Sequence, residues 1–249
     1  MKDRYGREID YLRISITDRC NLRCVYCMPE DGIHQISHKE ILTYDEIKRI
    51  CQCVTTLGIH KIKLTGGEPL TRKNCSELVA MVKALPGIEK VTLTTNGVLL
   101  KDQLKDLAEA GIDNINISLD TLSKTEFRRI TRREGLSSVL ESIEEVLKYP
   151  QIGLKINCVP VIEDPENLVS IAGLAKKHPI HVRFIEMMPI GFGKDFAFRG
   201  EDEICSILER AYGIMIPDVN RYGNGPCHYY QIQGFQGRIG FISAMTHKF

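Results

Sequence analysis

The segment Cys20-Asn-Leu-Arg-Cys24-Val-Tyr-Cys27 places three thiols at C-x3-C-x2-C spacing, directly after the strand-like run at residues 10–16. Thiolates this close together in a short loop can converge on one metal centre. An iron–sulfur cube normally takes four cysteine ligands, so three would leave one iron with an open coordination position. A catalytic metal site needs such an open position. The spacing therefore favours a catalytic iron–sulfur cluster.

Two other interpretations of the three thiols stay open on spacing alone. A structural zinc site prefers four protein ligands, and no fourth cysteine lies nearby, although His34 could serve. A disulfide pair would suit a secreted chain, but the nine cysteines are an odd number and the first residues contain no apolar segment typical of a secretory signal. Reduced thiols and a cytoplasmic location are the better expectation.

The composition is that of an ordinary globular protein. The chain has 249 residues, of which 43% are hydrophobic and 26% are charged, with a net charge of +1. This length suits one α/β domain, or one domain with a small appendage. The charge gives no field that would attract nucleic acid, and no apolar run approaches the ~20 residues that span a bilayer. We therefore expect neither a nucleic-acid partner nor a membrane.

Strand-like and helix-like segments alternate through most of the chain. After residues 10–16, apolar strand-like runs occur at 60–65, 91–94, 114–118, 153–159 and 180–185. Helical patterns lie between them at 43–57, 74–84, 101–110, 124–131, 136–147 and 167–177, the first with a capping box formed by Thr43 and Glu46. Such alternation predicts a parallel sheet with helices outside it, by default a doubly wound sheet. Polar residues that follow the strands should gather at one edge.

The pattern changes after Pro189. An amphipathic helix is predicted at 201–212, followed by two strands at 229–233 and 237–242. We therefore predict a core at residues 1–190 and a short α+β extension at 191–249.

Two motifs together carry a resemblance to a known family. The run Ser15-Ile-Thr-Asp-Arg-Cys-Asn-Leu-Arg-Cys-Val-Tyr-Cys-Met-Pro29 resembles the cluster loop of radical S-adenosylmethionine (SAM) enzymes, and Gly66-Gly67-Glu68-Pro69 follows one β–α unit later. In detail both are similar to the GTP 3′,8-cyclase family. The resemblance implies a partial (β/α)6 TIM-like barrel in which Cys20, Cys24 and Cys27 hold a [4Fe-4S] cluster whose fourth iron binds SAM.

The resemblance also implies a reaction. Members of the family are lyases of molybdenum cofactor biosynthesis that cyclise GTP to (8S)-3′,8-cyclo-7,8-dihydroguanosine 5′-triphosphate. In this reaction no side chain need act as a nucleophile. The implied SAM-binding residues are Tyr26, Gly67, Ser118, Arg183 and Met188. The implied GTP-binding residues are Arg13, Lys63, Thr94 and Lys155. The family usually has arginine where this chain has Lys63, and lysine keeps the charge but loses the bidentate fork.

The other charged and thiol groups have simpler interpretations. Arg128, Arg129, Arg132 and Arg133 form a basic run that we expect to be a solvated surface, since no aromatics are interleaved with it. The six cysteines outside the loop lack ligand spacing and are expected to be buried or inert.

The chain departs from the family at its end. There the family continues into cysteines that hold a second [4Fe-4S] cluster, whereas Phe249 is the last residue. A fragment of a longer cyclase and a natural short form are the two explanations, and the first is favoured. We expect SAM binding and uncoupled SAM cleavage, with weak or no GTP cyclisation. An electron donor such as a flavodoxin or ferredoxin, and a homodimer, are further expectations. The alternatives are a radical SAM enzyme with another substrate or a non-catalytic SAM- or metal-binding module.

Overall fold

The computed structural model describes residues 2–37, 39–197, 199–223, 225–243 and 245–246. Its strands are β1 (Tyr11–Ser15), β2 (Lys61–Thr65), β3 (Lys90–Thr95), β4 (Asn114–Ser118), β5 (Gly153–Cys158), β6 (His181–Ile185), β7 (Met215–Asp218), β8 (His228–Ile232) and β9 (Arg238–Ile242). Its helices are α1 (Tyr44–Thr55), α2 (Cys75–Lys83), α3 (Leu100–Glu109), α4 (Lys124–Thr131), α5 (Leu136–Val146), α6 (Pro165–Lys177) and α7 (Glu201–Tyr212). Single 3-10 turns lie at Pro69–Thr71 and Gly191–Asp195.

The chain divides into two compact units. The first consists of Met1–Asn21, His34–Asn116 and Ser137–Gly153, and the second of Leu22–Ile33, Ile117–Leu136 and Leu154–Phe249. The division predicted from the sequence, at residue 190, stays a prediction.

The first unit is built on parallel strands. β1 pairs with β2, and β2 pairs with β3, both in parallel register. Ile62 and Leu64 on β2 lie on the same face of the sheet as Val91 and Leu93 on β3, and all four are fully or almost fully buried, which is typical of a sheet face packed on the core. The predicted parallel pairing is confirmed here.

Local chemistry fixes the helices of the first unit. The Thr43 hydroxyl accepts from the backbone N–H of Glu46, whose carboxylate accepts from the backbone N–H of Thr43, so the predicted capping box is confirmed. Lys83 is the last residue of α2, and its Nζ lies 2.6 Å from Asp113 Oδ2. The same carboxylate oxygen also accepts a hydrogen bond from the N–H of Val91. This carboxylate joins the last turn of α2 to the start of β3.

The second unit has a mixed sheet. β5 and β6 are parallel, β9 adds to β6 in parallel, and β8 and β7 follow β9 in antiparallel order. β7 is not predicted from the sequence. This strand is short and carries Pro217 and the exposed Ile216, so it lacks the alternation that predicts a strand. None of the helices in the described part of the chain is long and apolar enough to cross a bilayer.

Candidate active site

The loop after β2 lies tightly against the chain that leads into the cysteine segment. The N–H of Gly67 donates to Thr17 O at 2.7 Å, and the N–H of Glu68 donates to Arg19 O at 2.7 Å. A Cβ added at Gly66 would lie 2.6 Å from Thr17 O, and one at Gly67 would lie 2.3 Å from Arg19 O. Only glycine permits this approach of two backbones. The paired glycines therefore position the residues just before Cys20.

The carboxylate of Glu68 links two of the loops that follow strands. It is buried and accepts hydrogen bonds from the N–H of Leu70, the hydroxyl of Thr95 at 2.7 Å and the N–H of Asn96 at 2.6 Å. Burial raises the pKa of Glu68, and these three donors oppose that rise. The loop after β2 is thus fixed to the loop after β3.

Asn96 extends this network to the first cysteine. Its Nδ2 lies 3.8 Å from Cys20 Sγ and donates to Asn21 Oδ1 at 2.7 Å. Its Oδ1 accepts from the N–H of Val98 at 3.0 Å. From the sequence, the polar run after β3 is predicted at the strand edge, but no role is predicted for Asn96 itself.

The second and third cysteines lie on one turn. The N–H groups of Cys27 and Met28 both donate to Cys24 O, at 2.9 and 3.1 Å. Two backbone bonds join the same segment to the end of α4: Arg23 N to Thr131 O and Val25 N to Ile130 O.

Arg132 holds this turn from α4. It has a positive φ of 55°, which is uncommon for a residue other than glycine, and its Nη1 donates to Arg23 O at 3.3 Å and Met28 O at 3.1 Å. The two carbonyls flank the cysteine turn. The expectation that the basic run is a solvated surface is therefore wrong for Arg132.

The neighbouring arginines of the run fit the surface interpretation. Arg128 is exposed and pairs with Glu134 at 3.3 Å, and Arg129 pairs with Glu126 at 2.6 Å. Such exposed pairs contribute little to stability.

Tyr26, which precedes Cys27, is bonded to a buried acid. Its hydroxyl donates to Asp120 Oδ2 at 2.7 Å, and the N–H of Val159 donates to Asp120 Oδ1 at 2.8 Å. Burial raises the pKa of Asp120 to about 6 against the opposing effect of these two donors. Burial, followed by the charge of Asp120, raises the pKa of Tyr26 well above its ordinary value. No role is predicted for Asp120 from the sequence, although it lies two residues after β4.

Three of the predicted GTP-binding residues lie in the first unit. Arg13 on β1 is paired in register with Lys63 on β2, and Lys63 is paired with Thr92 on β3, so these side chains share one face of the sheet. Thr94, two residues further along β3, shares that face, and its hydroxyl accepts from Asn116 Nδ2 at 3.4 Å. This face thus carries two cations beside polar hydroxyls.

The second unit contains buried cations on β5 and β6. Lys155 is buried and donates to Tyr222 O. Arg183, also buried, donates through Nε and Nη2 to Asn157 Oδ1 on the neighbouring strand. Burial, and then the nearby positive charges of which Lys155 is the largest, lower the pKa of His181 to about 4. Lys155 and His181 are paired in register, and Arg183 lies two residues further along β6, so the three basic side chains share one face of the unit.

The remaining predicted residues are exposed. Ser118 ends β4 with its side chain exposed, Met188 is 49% exposed and His34 is exposed. None of the nine cysteines forms a disulfide. Cys53 is exposed like Cys27, and Cys51, Cys75 and Cys158 are buried. In the described ranges no group of three or more His, Cys, Asp or Glu side chains is already arranged around a single ion position.

Comparisons with known families define the class. A model described as the Radical SAM superfamily matches residues 14–175, and one described as Molybdenum Cofactor Synthesis C matches residues 180–249. The solved structure of Streptococcus suis SuiB bound to S-adenosylmethionine is 17% identical, with a TM-score of 0.68, over 81% of this chain and 46% of that one. Fold and family match define a radical SAM protein, so the predicted fold class is confirmed.

Closer relatives define the family within that class. A GTP 3′,8-cyclase of Clostridium perfringens strain SM101 is 47% identical over 100% of this chain and 77% of its own length. A GTP 3′,8-cyclase of Syntrophomonas wolfei is 43% identical, again over 100% of this chain and 77% of its own length. The chain belongs to the GTP 3′,8-cyclase family. The cofactors expected for it, a [4Fe-4S] cluster and SAM, are confirmed by this membership.

The residues of this chain fit those cofactors. Cys20, Cys24 and Cys27 are unoxidised thiols, the donor type that iron–sulfur clusters require. An amide N–H group faces the first sulfur, and the exposed backbone of Gly67 follows a strand next to the same segment. Hydrogen bonds to cluster sulfurs and exposed backbone groups are both features of such sites.

Proposed function

We propose that this chain catalyses the SAM-dependent radical cyclisation of GTP, with Cys20, Cys24 and Cys27 as the ligands of its [4Fe-4S] cluster. The observation that carries the proposal is identity of 47% to a GTP 3′,8-cyclase along the whole chain. When bound, the cluster supplies the electron that splits SAM into methionine and a 5′-deoxyadenosyl radical. The residues of the protein bind and orient SAM and GTP and shield the radical reaction from water.

SAM would be bound by groups at strand ends. We infer that the backbone of Gly67 meets its amino group and that the buried guanidinium of Arg183 meets its carboxylate, a pairing that suits arginine. Tyr26, held by Asp120, would support the cofactor beside Cys27. Ser118 and Met188 would contact the ribose and the adenine, and both have exposed side chains.

GTP would be held by fixed cations. Arg13 and Lys63 lie side by side on neighbouring strands, with Thr94 on the same face. Lys155, buried on β5, would supply a further positive charge for the triphosphate. Transfer of the C3′ hydrogen atom of the ribose to the 5′-deoxyadenosyl radical would leave a ribose radical that attacks C8 of guanine. The resulting guanine radical would then need one electron from the external donor and one proton to reach the dihydro product.

The proposal also includes expectations about the domains, the electron donor, the oligomeric state and the location of the protein. Residues 1–190 would carry the radical SAM core and 191–249 the extension. The electron would come from a small redox protein of the flavodoxin or ferredoxin class. A homodimer in the cytoplasm is the expected state, and nine cysteines without a disulfide agree with a reducing compartment.

Isotope transfer tests the reaction. The anaerobically reconstituted chain is incubated with SAM, a reductant and GTP carrying deuterium at C3′. We expect 5′-deoxyadenosine to gain one deuterium, with CTP as the control nucleotide. Deuterium-free 5′-deoxyadenosine, formed equally with either nucleotide, would mean that SAM cleavage is not coupled to GTP, and it would contradict the proposed cyclisation.

Metal content separates the reaction from a non-catalytic module. We expect iron and sulfide at close to four of each per chain. Stoichiometric zinc without sulfide would support the module instead.

A further inference from the structure

Asn96 meets the first predicted cluster ligand from the loop after β3. Its Nδ2 lies 3.8 Å from Cys20 Sγ, within the range for hydrogen bonds to sulfur. The other partner of Nδ2 is Asn21 Oδ1 at 2.7 Å. The two hydrogens of one side-chain amide are thus directed at a cysteine and at its neighbour in the sequence.

The orientation of this amide is determined by its other contacts. Oδ1 of Asn96 accepts from the N–H of Val98 at 3.0 Å. Rotating the amide by half a turn would place an NH2 group against the Val98 N–H and an oxygen against Asn21 Oδ1 and the Cys20 sulfur. All of these new contacts would be unfavourable. The donor face of Asn96 is therefore fixed toward Cys20.

The backbone of Asn96 is fixed as well. Its N–H donates to Glu68 Oε2 at 2.6 Å, and the hydroxyl of Thr95 donates to the other oxygen of that buried carboxylate. Glu68 belongs to the loop that packs on the residues before Cys20. The residue that contacts the sulfur is therefore held by the same network that positions the cysteine.

We propose that Asn96 is a positioning residue that donates a hydrogen bond to the Cys20 thiolate and thereby sets the reduction potential of the cluster. This inference rests on the proposed function, because it requires a cluster on Cys20. A donor to a ligand sulfur stabilises negative charge on it, and reduction adds negative charge to the cluster. The donor therefore favours the reduced state and makes the potential less negative.

Two substitutions remove the donor in different ways. Asn96→Asp keeps the shape and keeps an oxygen for the Val98 N–H, so the turn is retained while a negative oxygen faces the sulfur. Asn96→Leu removes the donor without adding charge. Gln103→Leu is the matched control, since it deletes an amide that donates to Leu70 O in the same unit. Far-ultraviolet circular dichroism checks the fold of each variant.

The readout is a redox titration of the reconstituted protein, followed by electron paramagnetic resonance. We expect both Asn96 variants to show a more negative midpoint potential than the wild type, with Asn96→Asp shifted further, and Gln103→Leu to match the wild type. Loss of iron from well-folded Asn96 variants would show a purely structural role and would overturn the proposed effect on the potential. Wild-type potentials in both, or loss of fold in both, would overturn it. A wild-type chain without a cluster would instead overturn the proposed function, and this inference with it.

Discussion

The phenol of Tyr26 donates a 2.7 Å hydrogen bond to Oδ2 of Asp120, which joins the cysteine turn to the residues just after β4. Tyr26 is adjacent to Cys27, so this bond restrains the cysteine turn from outside its own loop. Asp120 is buried and its backbone carbonyl also accepts from Asn167 Nδ2 at 2.8 Å. Burial makes the carboxyl group of Asp120 costly to ionise, although the donors to it oppose this effect, so its protonation should affect stability.

Asp120 should make the stability of the second unit depend on pH. Its pKa in the folded chain is raised to about 6 from 3.8, so the folded state binds the proton more tightly than the unfolded state. The wild type should therefore lose stability as the pH rises from about 4 to about 6. Asp120→Asn lacks this loss, so its free energy of unfolding relative to wild type should rise by about 1 kcal/mol between roughly pH 5 and pH 7.

Urea unfolding at the two pH values measures this difference. The titratable groups beside Asp120 are the Tyr26 phenol and the Cys158 thiol; burial also raises the pKa of each of these, so both are neutral at the two pH values. Asp106→Asn, on the exposed face of α3, is the control and should show the same difference from wild type at both values. If the free energy of unfolding of Asp120→Asn also differed from that of the wild type by the same amount at both pH values, the prediction would be contradicted.

Arg132 should be needed for the cysteine turn to retain iron. Arg132→Gln removes the guanidinium that donates to Arg23 O and Met28 O. We expect a loss of about 1–3 kcal/mol in stability and faster loss of iron to a chelator. The matched control is Arg129→Gln, which breaks only an exposed pair with Glu126. If both variants release iron at the wild-type rate, Arg132 does not restrain the turn.

The close approach at Gly67 predicts a strong effect of one methyl group. In Gly67→Ala the new Cβ would start 2.3 Å from Arg19 O, so one of the two backbones must move. We expect a loss of about 1–3 kcal/mol in stability, together with weaker SAM binding measured by calorimetry. Gly225→Ala places its Cβ in open space and should bind SAM like the wild type. Normal SAM affinity in Gly67→Ala would show that this contact does not shape the SAM site.

The buried cation on β5 should contribute to GTP binding. Lys155→Met keeps the length of the side chain and removes its charge, so GTP binding should weaken by at least about tenfold. SAM binding should change little, because Lys155 is assigned to the triphosphate. Lys101→Met, which removes an exposed pair with Glu141, is the control. Equilibrium dialysis with labelled GTP measures both, and unchanged affinity in Lys155→Met would remove it from the nucleotide site.

Much of the fold could be predicted because local signals and burial agree. The capping box at Thr43 fixed the start of α1, and the apolar runs at β2 to β4 lie within a residue or two of their predicted bounds. β7 could not be predicted, because its partner β8 supplies the pairing that its own sequence does not indicate. The addition of β9 beside β6 is likewise a long-range contact that no local pattern contains.

The candidate site, too, could be predicted where its signal is local in the sequence and not where it depends on long-range contacts. The cysteine spacing and the paired glycines are local patterns, and the glycines prove to be required by a backbone approach. Asn96, Asp120 and Arg132 gain their roles from contacts with residues distant in sequence, which spacing cannot reveal. For Asn96 and Asp120, their position just after a strand was the available signal. No signal in the sequence distinguished Arg132, because it is one of four arginines in a basic run.

The central claim is that Cys20, Cys24 and Cys27 hold a [4Fe-4S] cluster whose remaining iron binds SAM. The most direct measurement is the electron paramagnetic resonance spectrum of the reduced, reconstituted chain recorded with and without SAM. We expect a cubane signal that changes on addition of SAM and that is absent in Cys24→Ala. A chain without that signal, or a signal that is unchanged by SAM, would contradict the claim.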